Sequence, residues 1–341
     1  MPHIDICAER LPLTLAQPFT IARGTKETVE NVVVRLSADG ITGYGEAAPN
    51  TRYNEDSERV SAFTKSLSND FFDNISTAQA LANKLSARRP QVQSAMAAVE
   101  MAWLDWWGQK QDSPLWQLWK APSNTTPPTS YTIGLDTLEV MQEKVRAASD
   151  YPILKVKLGT DKDRDIIRAI REITDKPIRV DANEGWTTLG EAKGQISFLA
   201  DQNIEIVEQP MPVAMKEEMQ QLKQWSRLPL FADESFKGDE DLVEIGQSFD
   251  GINIKLAKIG SLVKAKRVIE HAQKQNLEVM IGCMIESSLG IAAGALLATQ
   301  ADYVDLDGNL LIKDDPFAGV SLNKDKRVVL SNEPGLGIHA K

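Results

Sequence analysis

Lys155 and Lys157, Asp181, Glu208, Asp233, Lys255, and the pair Asp305 and Asp307 each stand at or near the end of a short run rich in Ile, Val and Leu. Strands buried on both faces should not end so consistently in ionisable groups. Asp181, Glu208 and Asp233 close three consecutive runs, so in a sheet of neighbouring strands their carboxylates converge, and three anions repel strongly unless a cation lies between them. Any one of them alone would be an ordinary solvated loop acid; three in register are not. An all-oxygen set with no His or Cys nearby favours a hard ion, Mg²⁺ ahead of Mn²⁺ or Ca²⁺. Lys155 and Lys157 lie two apart on a strand and share a face, where mutual repulsion and burial disfavour their charge and make one of them a candidate base. Lys255 falls across the sheet from them, with the acids between, while Lys258 and Lys264 read as surface charge. The chemistry this supports is removal of a proton α to a carboxylate: a bound cation stabilises the enediolate, and a second lysine returns the proton to the other face. The net result is epimerisation or racemisation.

Those residues need a scaffold that brings strand ends together. Runs at 131–135, 153–158, 178–181, 204–208, 230–233, 252–255, 279–284 and 303–307 begin about 25 residues apart, and helical periodicity fills 161–173, 189–201, 215–225 and 261–275 between them. Eight such units predict an α/β fold in which a parallel sheet closes as a β/α barrel, with function at the carboxyl ends of the strands. An open doubly wound sheet would want a Gly-rich phosphate turn after the first strand, and none is present. After the eighth run, 313–316 and 328–330 read as turn and strand, so the barrel is expected to lack its last helix, as (β/α)7β. Thr132 in the first run and Glu286 after the seventh are further candidates for substrate contact.

Ahead of the barrel, 29–36 and 41–45 flank Asp39-Gly40 as a β-hairpin of a small antiparallel sheet. Segments 55–67, 77–85 and 91–108 carry helical periodicity, and Trp103, Trp106 and Trp107 on the last are assigned to core packing. The three prolines of 121–128 mark a boundary, giving an N-terminal α+β unit over 1–125, the barrel over 126–315 and a segment over 316–341 that returns to the first unit. The net charge of −10 over 341 residues excludes the basic footprint of nucleic-acid binding. The apolar stretch 279–299 is interrupted by Glu286 and serines, so no membrane span is expected. Residues 1–10 lack the apolar core of a secretory signal, and Cys7 and Cys283 read as inert packing thiols of a reducing compartment, which together predict a cytoplasmic protein. His3, His271 and His339 fall near no strand end and are given no catalytic role.

The motifs Lys155-Val156-Lys157, Val180-Asp181-Ala182-Asn183, Glu208-Gln209-Pro210, Ala232-Asp233-Glu234-Ser235, Asn253-Ile254-Lys255 and Asp305-Leu306-Asp307-Gly308 together resemble the muconate-lactonizing subgroup of the enolase superfamily. Within it, the chain resembles the dipeptide epimerases over essentially its whole length. The resemblance implies an N-terminal capping domain, one Mg²⁺ held by Asp181, Glu208 and Asp233, and Lys157 and Lys255 as opposed bases. It further implies that Lys155 contacts the substrate carboxylate and helps depress the charge on Lys157. Asp305 and Asp307 would hold the α-ammonium group of a dipeptide. Loops 19–25 and those around Tyr53 would choose the side chain. Relatives acting on Ala-Glu carry an Arg in the first loop; here Arg23 is displaced by one position, which points to an Ala-Xaa substrate with Xaa small or hydrophobic ahead of Glu. Barrels of this family often associate, so the resemblance also raises a homo-oligomer.

N-acylamino acid racemase, o-succinylbenzoate synthase and muconate cycloisomerase keep the chemistry and change the substrate, but none presents an ammonium group to Asp305 and Asp307. A Schiff-base aldolase using Lys155 or Lys157 is the rival from another class. A non-catalytic binding barrel would leave the opposed lysines unexplained.

Overall fold

The computed structural model describes residues 4–238 and 240–341. His3 and the first residues of the segment read for a signal lie outside them. The chain opens with an antiparallel sheet of β1 (Asp5–Ile21), β2 (Gly24–Ala38) and β3 (Ile41–Ala47). Asp39 and Gly40 take φ of 54° and 76°, the left-handed pair that a two-residue hairpin needs, and Ala38 pairs Ile41 across it. Helices α1 (Ser57–Lys65) and α2 (Ala78–Ser86) start where the side chains of Asp56 and Thr77 accept from Arg59 N and Ala80 N. Helix α3 (Gln93–Lys110) is buried along most of its length and lies directly on β3. Gly43 and Gly45 permit that approach, since a Cβ on either would sit 2.1 and 2.0 Å from the carbonyl oxygens of Ala102 and Ala98. Trp103 and Trp106 are buried and Trp107 stacks on Trp103, in keeping with the core role expected for them.

A short helix α4 (Leu115–Leu118) and β4 (Thr125–Pro128) lead into eight parallel strands: β5 (Tyr131–Ile133), β6 (Leu154–Lys157), β7 (Ile178–Asp181), β8 (Ile204–Glu208), β9 (Leu230–Ala232), β10 (Gly251–Ile254), β11 (Glu278–Gly282) and β12 (Tyr303–Asp305). They lie side by side in sequence order, and a parallel bridge between Thr129 and Val304 joins the two edges into a barrel. Outside run α5 (Leu138–Ala147), α6 (Asp163–Arg171), α7 (Leu189–Leu199), α8 (Lys216–Trp225), α9 (Leu242–Ser248), α10 (Leu256–Ile259), α11 (Leu262–Lys274) and α12 (Ser288–Ala298). In α6, Ile166, Ile167 and Ile170 face the sheet while Arg168 is exposed, the pattern that fixes such a helix on a barrel. No barrel helix follows β12; one turn of 3-10 helix, Gly308–Leu310, takes its place, so the barrel is (β/α)7β.

The C-terminal residues form β13 (Phe317–Ala318), β14 (Ser321–Leu322), β15 (Arg327–Val329) and β16 (His339–Ala340). Strand β15 pairs β4 at the edge of a small sheet, the position at which prolines are tolerated. Gly335 O accepts from Leu115 N at 2.7 Å, and Leu336 N donates to Asp105 of α3 at 2.8 Å. Helix α12 is apolar all round and wholly buried, because the barrel covers one side and β3, β4 and β13 the others. Among the described residues no helix is long and apolar enough to cross a membrane.

Candidate active site

Side chains of a strand alternate, so every second residue of each barrel strand points inward. Ile206 of β8, Phe231 of β9 and Met280 of β11 fill the lower interior against Tyr303 of β12. Two residues further along, the same faces deliver Glu208, Asp233 and Asp305, and the neighbouring strands add Lys155, Lys157, Asp181, Asn253 and Lys255, all buried. The charged layer thus sits on a buried floor, to which Arg179 adds its guanidinium over the Tyr303 ring. Gly282 of β11 leaves the space Asn253 occupies, since a Cβ there would lie 2.6 Å from its Oδ1.

Within this layer Lys155 Nζ lies 2.6 Å from Asp305, 2.7 Å from Glu208 and 3.3 Å from Asp181. Lys157 donates to Asp181 Oδ2 at 2.6 Å, and Lys255 to Asp233 Oδ2 at 2.8 Å. Burial penalises every one of these charges, and the partners decide the outcome. Burial raises Asp181, but the ammonium groups of Lys157 and Lys155 outweigh it and hold the carboxyl at about 2. Asp233 falls well below the usual range because Lys255 and Lys258 overcome the same burial. Burial lowers Lys155, yet Asp305, Glu208 and Asp181 lift it above an ordinary lysine, so the expected suppression of its charge by Lys157 does not prevail. Asp233 and Glu208 raise Lys255 likewise. Asp307 goes the other way, pushed up to about 6 by burial and by Asp305.

Over the layer opens a cavity of about 490 Å³ walled by both units. From below it is lined by Lys155, Lys157, Asp233, Lys255, Asp305, Asp307 and Thr132, whose backbone N donates to Asp307 Oδ2 at 2.6 Å. The β1–β2 turn contributes Phe19, Ile21 and Arg23, the segment after β3 contributes Asn50, Arg52 and Tyr53, and the loop after β11 contributes Cys283, Met284 and Ile285. Arg23 reaches across to the barrel: its Nη2 lies 2.7 Å from Glu234 Oε1, and its Nη1 lies 2.9 Å from Asn183 O and 3.4 Å from Glu184. Arg52 also meets Glu184, at 2.5 Å. Buried Glu46 of β3 accepts from Asn31 Nδ2 at 2.7 Å and from the backbone of Ser287 and Gly290 at the start of α12, fastening the N-terminal unit to the barrel beside the cavity.

Of the residues singled out from sequence, all but Glu286 gather at this mouth. Glu286 stands apart: β11 ends at Gly282, and the Glu286 carboxylate folds back to accept from Met284 N at 2.9 Å, outside the cavity wall. Burial and Glu46 push it up to about 8. Lys258 is a correction, because it is buried rather than surface charge and donates to Asp233. Cys7 is exposed rather than packed, and Cys283 lines the cavity. His271 and His339 lie away from it. Sequence reasoning did not single out Glu184 or Ile285, which sit on connecting loops with no periodicity to announce them, and it named the stretch around Tyr53 without naming Asn50 or Arg52.

Asp181, Glu208 and Asp233 offer oxygens all within 4.8 Å of one another, and all three are buried. Glu208 Oε1 accepts from Asn253 at 2.7 Å, whereas Oε2 meets Lys155 outside hydrogen-bonding geometry. Clustered carboxylates of this kind suit a hard divalent cation.

Comparison with known proteins agrees with this geometry. Residues 4–119 match the mandelate racemase / muconate lactonizing enzyme N-terminal domain, and 138–341 match the enolase C-terminal domain-like family. The chain is 38% identical to an L-Ala-D/L-amino acid epimerase of Pedosphaera parvula, covering 96% of this chain and 97% of the relative. It is 37% identical to an L-Ala-D/L-Glu epimerase of Bacteroides thetaiotaomicron, over 96% of this chain and 85% of the relative. Among solved structures, a dipeptide epimerase of Enterococcus faecalis complexed with Mg and L-Leu-L-Tyr superposes with a TM-score of 0.89 at 30% identity, covering 99% of both chains.

Proposed function

The chain belongs to the mandelate racemase / muconate lactonizing enzyme family of the enolase superfamily, and on that premise we propose that it is a Mg²⁺-dependent dipeptide epimerase acting on Ala-Xaa dipeptides, Xaa small or hydrophobic. The observation that carries the reading is the pair of lysines on opposite walls of one cavity, Lys157 on β6 and Lys255 after β10, with a carboxylate cluster between them and Asp305 and Asp307 beside it.

In this reading Asp181, Glu208 and Asp233 hold the ion. When bound, the ion would supply Lewis-acid stabilisation of the negative charge that develops as the substrate's α-proton leaves. Lys157 takes that proton from one face of the second residue and Lys255 returns one to the other. Lys155, gripped by three carboxylates, is a fixed positive charge beside the substrate carboxylate rather than a base. Asp305 is held by Lys155 and by Ser130 at 2.8 Å, which leaves Asp307, fixed through Oδ2, to meet the α-ammonium group with its other oxygen. The apolar part of the wall, Phe19, Ile21, Met284, Ile285 and Leu311, suits a hydrophobic second side chain, and the Arg23 guanidinium is already engaged by protein acceptors. A dipeptide substrate and free thiols at Cys7 and Cys283 fit a cytoplasmic setting.

Incubation with Mg²⁺ in deuterated water and a library of L,L-dipeptides and N-acylated amino acids, read by mass spectrometry and repeated with borohydride, tests the reading. Deuterium in the Ala-hydrophobic members is the expected result. Exchange confined to N-acylated amino acids would overturn the dipeptide assignment, and a borohydride-trapped adduct would overturn the mechanism.

A further inference from the structure

Lys258 is the one lysine of the charged layer that does not reach the cavity. It sits one turn beyond Lys255, on α10, with its side chain 1% exposed. Its ammonium donates to Asp233 Oδ1 at 2.6 Å, to Asp233 O at 2.6 Å and to Asn253 O at 3.1 Å, which uses all three of its protons. Asp233 Oδ1 is therefore closed off from below, and Oδ2 is left facing Lys255 and the cavity. Asn253, on the same segment, grips Glu208 Oε1. Residues 253–258 thus orient two of the three clustered carboxylates from behind.

Resting on the cation-site reading above, we infer that Lys258 is a positioning residue that locks the Asp233 carboxylate with one oxygen toward the ion. Two effects oppose each other. A positive charge beside a ligand repels a cation, so removing it would tighten binding if charge dominated. Removing it also leaves Oδ1 buried without a donor and frees the carboxylate to rotate, and outer partners of ligating groups typically control affinity by about 10- to 100-fold. Two short bonds to Asp233 and a third to Asn253 O, all from one buried ammonium, make orientation the dominant effect.

The test is Mn²⁺ binding by electron paramagnetic resonance on the full chain and on Lys258→Met, with folding checked by circular dichroism. The expected result is a Kd weakened about 10- to 100-fold, with kcat climbing back as Mg²⁺ is raised and KM for the dipeptide little moved. A purely structural role would give no such recovery. Unchanged or tighter Mn²⁺ binding overturns the inference. If Lys258→Met does not fold, Lys258→Gln, which removes the charge and keeps a donor, is judged by the same criterion. Failure of the unaltered protein to bind Mn²⁺ would instead overturn the carboxylate reading itself, and this inference with it.

Discussion

Arg23→Met separates two roles for the same guanidinium by the size and the selectivity of its effect. As a latch, Arg23 ties the β1–β2 turn to the barrel through Glu234, Glu184 and Asn183 O. Its side chain is 37% exposed, so the pairing is screened and worth about 0.2–1 kcal/mol, or about 1.4- to 5-fold. Glu234 is 1% exposed, but burial, with Asp233 and Asp181 beside it, already raises it to about 7, so it can take up a proton instead of remaining a bare buried anion. The loss stays small and falls on every dipeptide alike, because the turn carries Phe19 and Ile21 over the site whatever the second residue is. As a receptor for a substrate side-chain carboxylate, Arg23 would supply a charge-assisted bond of about 1.5–3 kcal/mol, or about 10- to 150-fold, to Ala-Glu alone. The assay is kcat/KM for L-Ala-L-Glu and L-Ala-L-Leu on both proteins. A uniform loss of a few-fold is expected; a loss of tenfold or more confined to Ala-Glu refutes the latch.

Lys157→Ala and Lys255→Ala should each abolish epimerisation, a loss of at least about 10²- to 10⁴-fold, while each still exchanges the α-proton of the one stereoisomer presented to the remaining lysine. Normal epimerisation by either variant would sink the two-base scheme. Asp307→Asn should weaken a free-amine dipeptide far more than its N-acetyl analogue, and equal losses in KM would count against an ammonium site there. Glu286 is raised from 4.5 to about 8, so the folded protein keeps a proton that the unfolded chain releases, and stability falls as pH rises between those values. Glu286→Gln mimics the protonated form and removes that slope, so its melting temperature should gain on that of the unaltered protein between pH 5 and pH 8. Parallel melting curves at the two pH values would show that Glu286 ionises freely.

The barrel was legible because its strands repeat, and the charged layer because barrel strands alternate: once Lys155 and Lys157 are read as inward, the same parity selects Asp181, Glu208 and Asp305. The rule weakens where a strand ends. Glu286 lies four residues past β11, where parity no longer governs direction and the carboxylate turns to a backbone N–H. Lys258 was misread for a related reason. Mean exposure makes a lysine near a strand end look like surface charge, but the short helix α10 carries this one back beneath Asp233. Lys155 shows the limit of pairwise reasoning. Burial alone would lower its charge, and three carboxylates from three other strands reverse the sign, a balance that exists only after the barrel closes. The cavity's upper wall follows the same logic across units. Arg23, Arg52 and Glu46 find their partners at Glu234, Glu184 and Ser287, more than a hundred residues away, so the shape of that wall depends on contacts that local sequence does not contain. In the proposed epimerase, residues fixed by strand parity would therefore carry the proton chemistry, and residues fixed by contacts between the units would carry the choice of substrate.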